Sequence, residues 1–181
     1  YDSFSGLVIL NGGTVSNLNI AAGTNTVGNN HGFLVRAASQ RGTVIDVHIT
    51  SGLNESDDSG GILGSNFGDS TESSVLRFCT FAGASNSLRG GAMTGSNPAY
   101  VSLESCSAVP SDGGGAGTRL LGAKTTTTTA GTLNISRCFV QCTGAAAGLL
   151  GSLPASLDAF AAACRSLGVN PRAVAIAETD R

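Results

Sequence analysis

Tryptophan is absent from this chain, aromatic residues make up 5% of its 181 positions, and charged residues only 12%. The charged share is about half of what soluble domains carry. Disorder needs low hydrophobicity together with high charge, so a chain that is 41% hydrophobic with a net charge of -2 is not of that kind. The near-neutral, slightly acidic balance also gives no electrostatic footprint for nucleic acid or for anionic lipid. No run of 18 apolar residues occurs, which excludes a membrane-spanning helix of the usual length. No signal peptide is visible, as expected of a processed chain. The chain opens at Tyr1 in what reads as the middle of a repeat, and is expected to be part of a longer protein.

What the chain does have is glycine, 26 residues of it, and a period. A glycine followed by small and aliphatic residues returns about every 26 to 30 positions: GLVIL from Gly6, GFLVR from Gly32, GILGS from Gly61, GAMTG from Gly91 and GLLGS from Gly148, with TRLLG from Thr118 as a weaker copy. A fixed period of that size marks an array in which each repeat buries its apolar side only by stacking on its neighbours.

A second pattern follows each glycine block: VSNLNI (Val15 to Ile20), VIDVHI (Val44 to Ile49), LRFCTF (Leu76 to Phe81), LESCSA (Leu103 to Ala108) and ISRCFV (Ile135 to Val140). Aligned, these segments predict three apolar ladders. One holds Val15, Val44, Leu76, Leu103 and Ile135; another Leu18, Val47, Cys79, Cys106 and Cys138; a third Ile20, Ile49, Phe81, Ala108 and Val140. Asn19, His48, Thr80, Ser107 and Phe139 alternate with the last two and should face outward. Short alternation at a long fixed period predicts an all-β fold, a parallel β-solenoid (β-helix) of about five rungs, ~25–30 Å long at ~4.8 Å per rung. The polar links Gly52 to Gly60, Gly83 to Gly90, Pro110 to Gly117 and Ala123 to Gly131 read as loops, by their turn residues. The Thr125 to Thr129 run within the last is a loop or O-glycosylated spacer by composition.

Residues 153–181 differ from the solenoid repeats of 1–152. Ser156 suits an N-cap, Asp158 the first turn and Gly168 the stop of an alanine-rich helix. Leu157, Phe160, Ala161, Cys164 and Leu167 fall on one face of it. The segment Pro154 to Gly168 is expected to be a helical cap, or the start of a following segment, with RAVAIA after Pro171 as a terminal strand.

No residue pattern here forms a catalytic constellation. Cys79, Cys106 and Cys138 read as a core ladder of small buried hydrophobes, since free cysteine packs as one. A disulfide between adjacent rungs is the sharper alternative, within reach by spacing but disfavoured by parallel side-chain vectors. Five cysteines leave at least one unpaired within the chain. The CFVQC pair lacks a second pair and a nearby His, so no metal or other cofactor is expected. His31 and His48 read as turn and surface residues with no carboxylate or nucleophile arranged beside them in sequence. Glu55, Asp57 and Asp58 read as solvated loop acids, with a Ca²⁺ site as the alternative. Asp46 and Arg77 are expected to reach a common face, and Asp46 and Glu104 to lie two rungs apart. Asn54-Glu55-Ser56 and Asn134-Ile135-Ser136 are N-glycosylation sequons, with Asn54 in a loop and Asn134 facing out.

The glycine blocks and the strands after them, GGILGSNFG (Gly60 to Gly68) with VLRFCTF, GLVILNGGTVSNLNI (Gly6 to Ile20) and GGAMTGSN (Gly90 to Asn97) with VSLESCSAV, resemble the GLUG-type repeat of large surface proteins. The resemblance covers most of residues 6 to 151. Arg36 departs from it at the second glycine of one copy and Thr118 at the first of another. It implies a parallel β-solenoid, an extracellular or cell-surface location, a structural or adhesin-like role and no catalytic residues.

The expectation is therefore a non-enzymatic structural or adhesive module of an extracellular assembly, a fibre, appendage, filament or sheath. Its partners would be other protein subunits, among them copies of itself, and glycans, with no nucleic acid and no membrane span. A carbohydrate-binding or polysaccharide-degrading β-helix protein is the alternative, and a passenger or spacer domain of a secreted protease or adhesin a third reading.

Overall fold

A computed structural model describes residues 5–21, 25–36, 41–50, 53–55, 58–65, 74–82, 90–96, 100–108, 121–122, 133–142 and 174–178. Among them every regular element is a strand. In chain order these are β1 (Gly13–Ile20), β2 (Asn25–Val27), β3 (Gly42–Ile49), β4 (Leu53–Glu55), β5 (Ser74–Arg77), β6 (Thr80–Phe81), β7 (Val101–Glu104), β8 (Ser107–Ala108), β9 (Leu133–Ser136), β10 (Cys138–Cys142) and β11 (Val174–Glu178). The described part of the fold is all-β, and all of its strand pairs are parallel.

Nine of the strands make one sheet. β1 lies on β3, which carries β5 and β6 side by side; β7 and β8 stack on these, then β9 and β10, then β11. The register reproduces the first and third predicted ladders, and of the second it pairs Leu18 with Val47. Val15 pairs with Val44, Val44 with Leu76, Leu76 with Leu103 and Leu103 with Ile135. Ile20 pairs with Ile49, Ile49 with Phe81, Phe81 with Ala108 and Ala108 with Val140. The terminal strand expected after Pro171 is β11, and its Val174 pairs with Cys138. The helical segment expected over Pro154 to Gly168 lies outside the described residues.

The repeats also meet in a second column, opposite in the chain to the first. Val8 bridges Val35, Val35 bridges Leu63, and Leu63 bridges Thr94, all parallel. The registration differs by one from the alignment of the glycine blocks at each bridge: Gly32 pairs with Gly60 rather than with Gly61, Val8 with Val35 rather than with Leu34, and Leu63 with Thr94 rather than with Met93. Gly61 serves another purpose. A Cβ placed there would sit 2.5 Å from Phe81 Cδ2 and 2.5 Å from the Ala92 carbonyl oxygen, so this glycine makes room for a fully buried phenylalanine of the core. At Gly32 a Cβ would lie 2.4 Å from the Ile62 carbonyl oxygen, and only glycine lets the backbones of successive repeats close up there.

Between the two columns sits one core. Leu34, Val44, Val47, Ile49, Ile62, Leu63, Leu76, Phe81 and Met93 are fully buried. The weaker copy of the glycine block supplies Leu121 to the same core. Burying a side chain such as Phe81 contributes roughly 1.5–3 kcal/mol. Each repeat is a thin layer, so this gain depends on the neighbouring repeats being in place. β1 marks how far that dependence goes: Leu18 is 38% exposed, although Val47, its ladder partner one row in, is buried completely.

Candidate functional site

The ladders hide a corner. In each repeat the first and second ladder positions are three residues apart, whereas straight alternation needs an even spacing. The structure resolves this with one residue per row in the left-handed conformation: Asn17 (φ 58), Asp46 (φ 55), Phe78 (φ 54), Ser105 (φ 52) and Arg137 (φ 52). Each stands between its first and second ladder residues. The turn shifts the phase, so that Val44 and Val47 both face the core. The five corner residues thereby form an outer ridge that runs across the rows.

Asparagine and aspartate adopt this conformation comparatively readily, because their short side chains bond locally. Asn17 and Asp46 fit that preference. Phe78 does not: a bulky residue at positive φ is an outlier, and the residue is 53% exposed. Neither the backbone nor burial accounts for a phenylalanine at this position.

Polar side chains flank the ring. On one side, His48 Nε2 lies 2.8 Å from Asp46 Oδ1, which corrects the sequence reading of His48 as a residue with no carboxylate beside it. On the other side, Arg77 Nε lies 3.0 Å from Glu104 Oε2, and Arg137 also donates to Glu104, through Oε1. Arg77 thus turns to Glu104 in the next row, while its partner in the preceding row is Ile45, the neighbour of Asp46. Asp46 and Glu104 do stand two rows apart, with Ile45 paired to Arg77 and Arg77 to Glu104.

Behind the ridge runs the cysteine column. Cys79, Cys106 and Cys138 are buried and free. Their thiols share a bonding pattern: Cys79 Sγ donates to the Arg77 carbonyl at 3.3 Å, Cys106 Sγ to that of Glu104 at 3.5 Å, and Cys138 Sγ to that of Ser136 at 3.3 Å. Each acceptor is the residue just before a left-handed corner. Cys79 and Cys106 also face the Val44 and Leu76 carbonyls of the preceding row, at 3.6 and 3.5 Å. Cysteine therefore does at these positions what Val47 cannot, tying the corner carbonyl from inside while remaining small. Hydrogen bonding with the Cys138 and Cys79 thiols, and then burial, push the Cys106 thiol far up from its usual range.

The other sequence candidates lie apart from the ridge. Asn134 is exposed, as expected, and its Nδ2 donates to Ser102 Oγ at 3.3 Å. Asn54 was expected in a loop, but its backbone is part of β4, paired with Thr26 of β2. The pairing arises because LNE continues a third parallel contact between the first two repeats. His31 stands before Gly32, where its carbonyl accepts from Gly60 N at 3.1 Å; burial and then the Arg36 charge hold its imidazole below the ordinary value of 6.5. Asp58 is described, with its amide donating to Asn29 Oδ1 at 3.2 Å, whereas Asp57, the Glu55 side chain, Thr125 to Thr129, Cys164 and the side chains of Phe139 and Cys142 lie outside the described residues. Among the described residues no group of three or more His, Cys, Asp or Glu side chains is placed to hold a metal ion, and no helix is long and apolar enough to cross a membrane.

Sequence reasoning missed Phe78. The signal was the odd spacing of the first two ladders, which requires a corner, and hence an outward residue, at position 78. Comparison with protein-family models, with curated proteins and with solved structures found no match to this chain.

Proposed function

We propose that the chain is a parallel β-solenoid that serves as a non-enzymatic structural or adhesive module of an extracellular or cell-surface assembly. The observation that carries this reading is the unbroken parallel register from β1 through β3, β5, β7 and β9, with a second parallel column on the far side of the core. A coil that meets its successor at two places stacks as a rod, and a rod of repeats offers the same contact face at every row. The GLUG-type motifs support the surface location, and on this reading Pro154 to Gly168 covers one end of the stack as a helix.

The charged groups favour a surface that holds something over one that reacts. Glu104 is engaged by two arginines and Asp46 by His48. A general acid–base pair needs carboxylates poised for proton transfer in a shared cleft, and these two are committed to partners on an open ridge. The partners on this reading are other subunits of the assembly, copies of this chain among them, and glycans. Asn54 and Asn134 are its acceptors for N-linked sugar.

Electron microscopy of the native material, with a mass measurement before and after glycosidase, tests the reading. Ordered fibres, a lattice or a sheath with this chain as the repeating unit is the expected result. Dispersed single particles without glycan contradict it.

A further inference from the structure

We infer that the corner ridge centred on Phe78 is a binding site for a neutral oligosaccharide, with a pyranose ring stacked on the phenyl face. This rests on the module reading and names what the module would adhere to.

The first support is that Phe78 is unfavourable where it stands. The corner column accepts Asn17, Asp46, Ser105 and Arg137 in the same left-handed conformation, so no packing requirement demands an aromatic. A residue that is strained and half in water marks a functional position more often than a structural one. The second support is what surrounds the ring. Within three row steps, about 14 Å at ~4.8 Å each, the ridge presents the Asp46 and Glu104 carboxylates, the Arg77 and Arg137 guanidinium groups and the His48 imidazole. All are at least partly exposed. Sugar hydroxyl pairs both donate and accept, and planar carboxylate and guanidinium groups meet such pairs through two parallel bonds. The groups hold one another through the Asp46–His48 and Arg77–Glu104–Arg137 contacts, so less freedom is lost when a ligand arrives.

The charge count selects among ligands. Asp46 and Glu104 balance Arg77 and Arg137, which gives an anionic sugar no net attraction. A folded protein partner usually covers about 800 Å² on each side, more than one exposed ring and five polar side chains provide. A flexible sugar chain lying along the ridge matches both its length and its mixture of groups.

The full chain is titrated by NMR with soluble hexamers of β-1,4-glucose, of β-1,4-N-acetylglucosamine, of β-1,4-mannose and of galacturonate, in the wild type and in Phe78→Asn, with thermal unfolding of both. The expected result is weak binding, on the order of millimolar, of one neutral hexamer, with shifts at Phe78, His48 and Arg137. Phe78→Asn should weaken it about tenfold while Tm stays level or rises by ~2–4 °C. A purely structural ring would instead lower Tm on the same change, and that result overturns the proposal. Binding of galacturonate alone, or of no hexamer by a wild type that is recovered from a surface assembly, overturns the ridge and leaves the module reading standing. Neutral-hexamer binding by a chain recovered only as dispersed particles from inside the cell supports the ridge and overturns the module.

Discussion

His48 Nε2 lies 2.8 Å from Asp46 Oδ1 because Asp46 stands at a left-handed corner. Counted from the inward Val44, straight alternation would bury Asp46 and expose Val47. The corner reverses this in every row from Asn17 to Arg137, and it sets both the core and the outer ridge.

The corner makes a definite demand on side chains. Ser105→Val places a β-branched residue at φ 52 and should lower stability by roughly 1–2 kcal/mol. Ser105→Gly should cost nothing or stabilise slightly. Urea unfolding midpoints of the two variants check this, and equal midpoints would remove the left-handed corner from the account.

Gly61→Ala should destabilise by roughly 2–3 kcal/mol, because the added methyl meets the Phe81 ring and the Ala92 carbonyl. Combining it with Phe81→Leu, which vacates part of that space, should recover a portion of the loss. A double-mutant cycle on unfolding midpoints measures the coupling.

The middle thiol of the cysteine column should resist thiol reagents. Cys106 is buried, and its thiol is pushed far from ionisation by its neighbours; the thiolate is the reactive form. Mass-spectrometric mapping at pH 8 should find Cys106 labelled only as fast as the chain opens. Cys106→Ala should cost about 1 kcal/mol through the small cavity and the lost corner contact.

His31 should make folding weaker in acid. Its folded-state pKa lies below the ordinary 6.5, through burial and then the Arg36 charge, so the unfolded chain binds the proton more tightly. The resulting stability is present above about pH 6.5 and is lost as pH falls through the lowered folded value. A comparison of Tm from pH 7.5 down to 4.5 should show a shallower decline for His31→Gln than for the wild type. Arg36→Ala should move the His31 titration part of the way back.

The ladders were legible in the sequence because burial constrains them: Val44, Leu76 and Leu103, or Ile49 and Phe81, are apolar at a fixed period, and the strands pair at those positions. The terminal strand was legible from the run RAVAIA after Pro171, and its backbone pairs with β10. The corner was not read, because Asn, Asp, Phe, Ser and Arg share no chemical character. The common property is a backbone dihedral, visible in the sequence only as a spacing of three. The glycine-block register slipped by one at each bridge, Val8–Val35 and Leu63–Thr94 as well as Gly32–Gly60; within GGILG, only the approach of Phe81 tells the two adjacent glycines apart. The Arg77–Glu104 contact depends on a register between repeats of unequal length, which local pattern does not supply.

The most direct test of the stacked register is a hydrogen-bond scalar coupling measurement by NMR across the rows. The expected couplings run from the Phe78 amide to the Glu104 carbonyl, from Ser105 to Ser136, from Ser107 to Cys79 and from Ala82 to Ile49. Finding all four establishes parallel repeats in this register with the corner at Phe78. Couplings that join these amides to carbonyls one residue away, or to antiparallel partners, contradict the ladders, the ridge and the reading built on them.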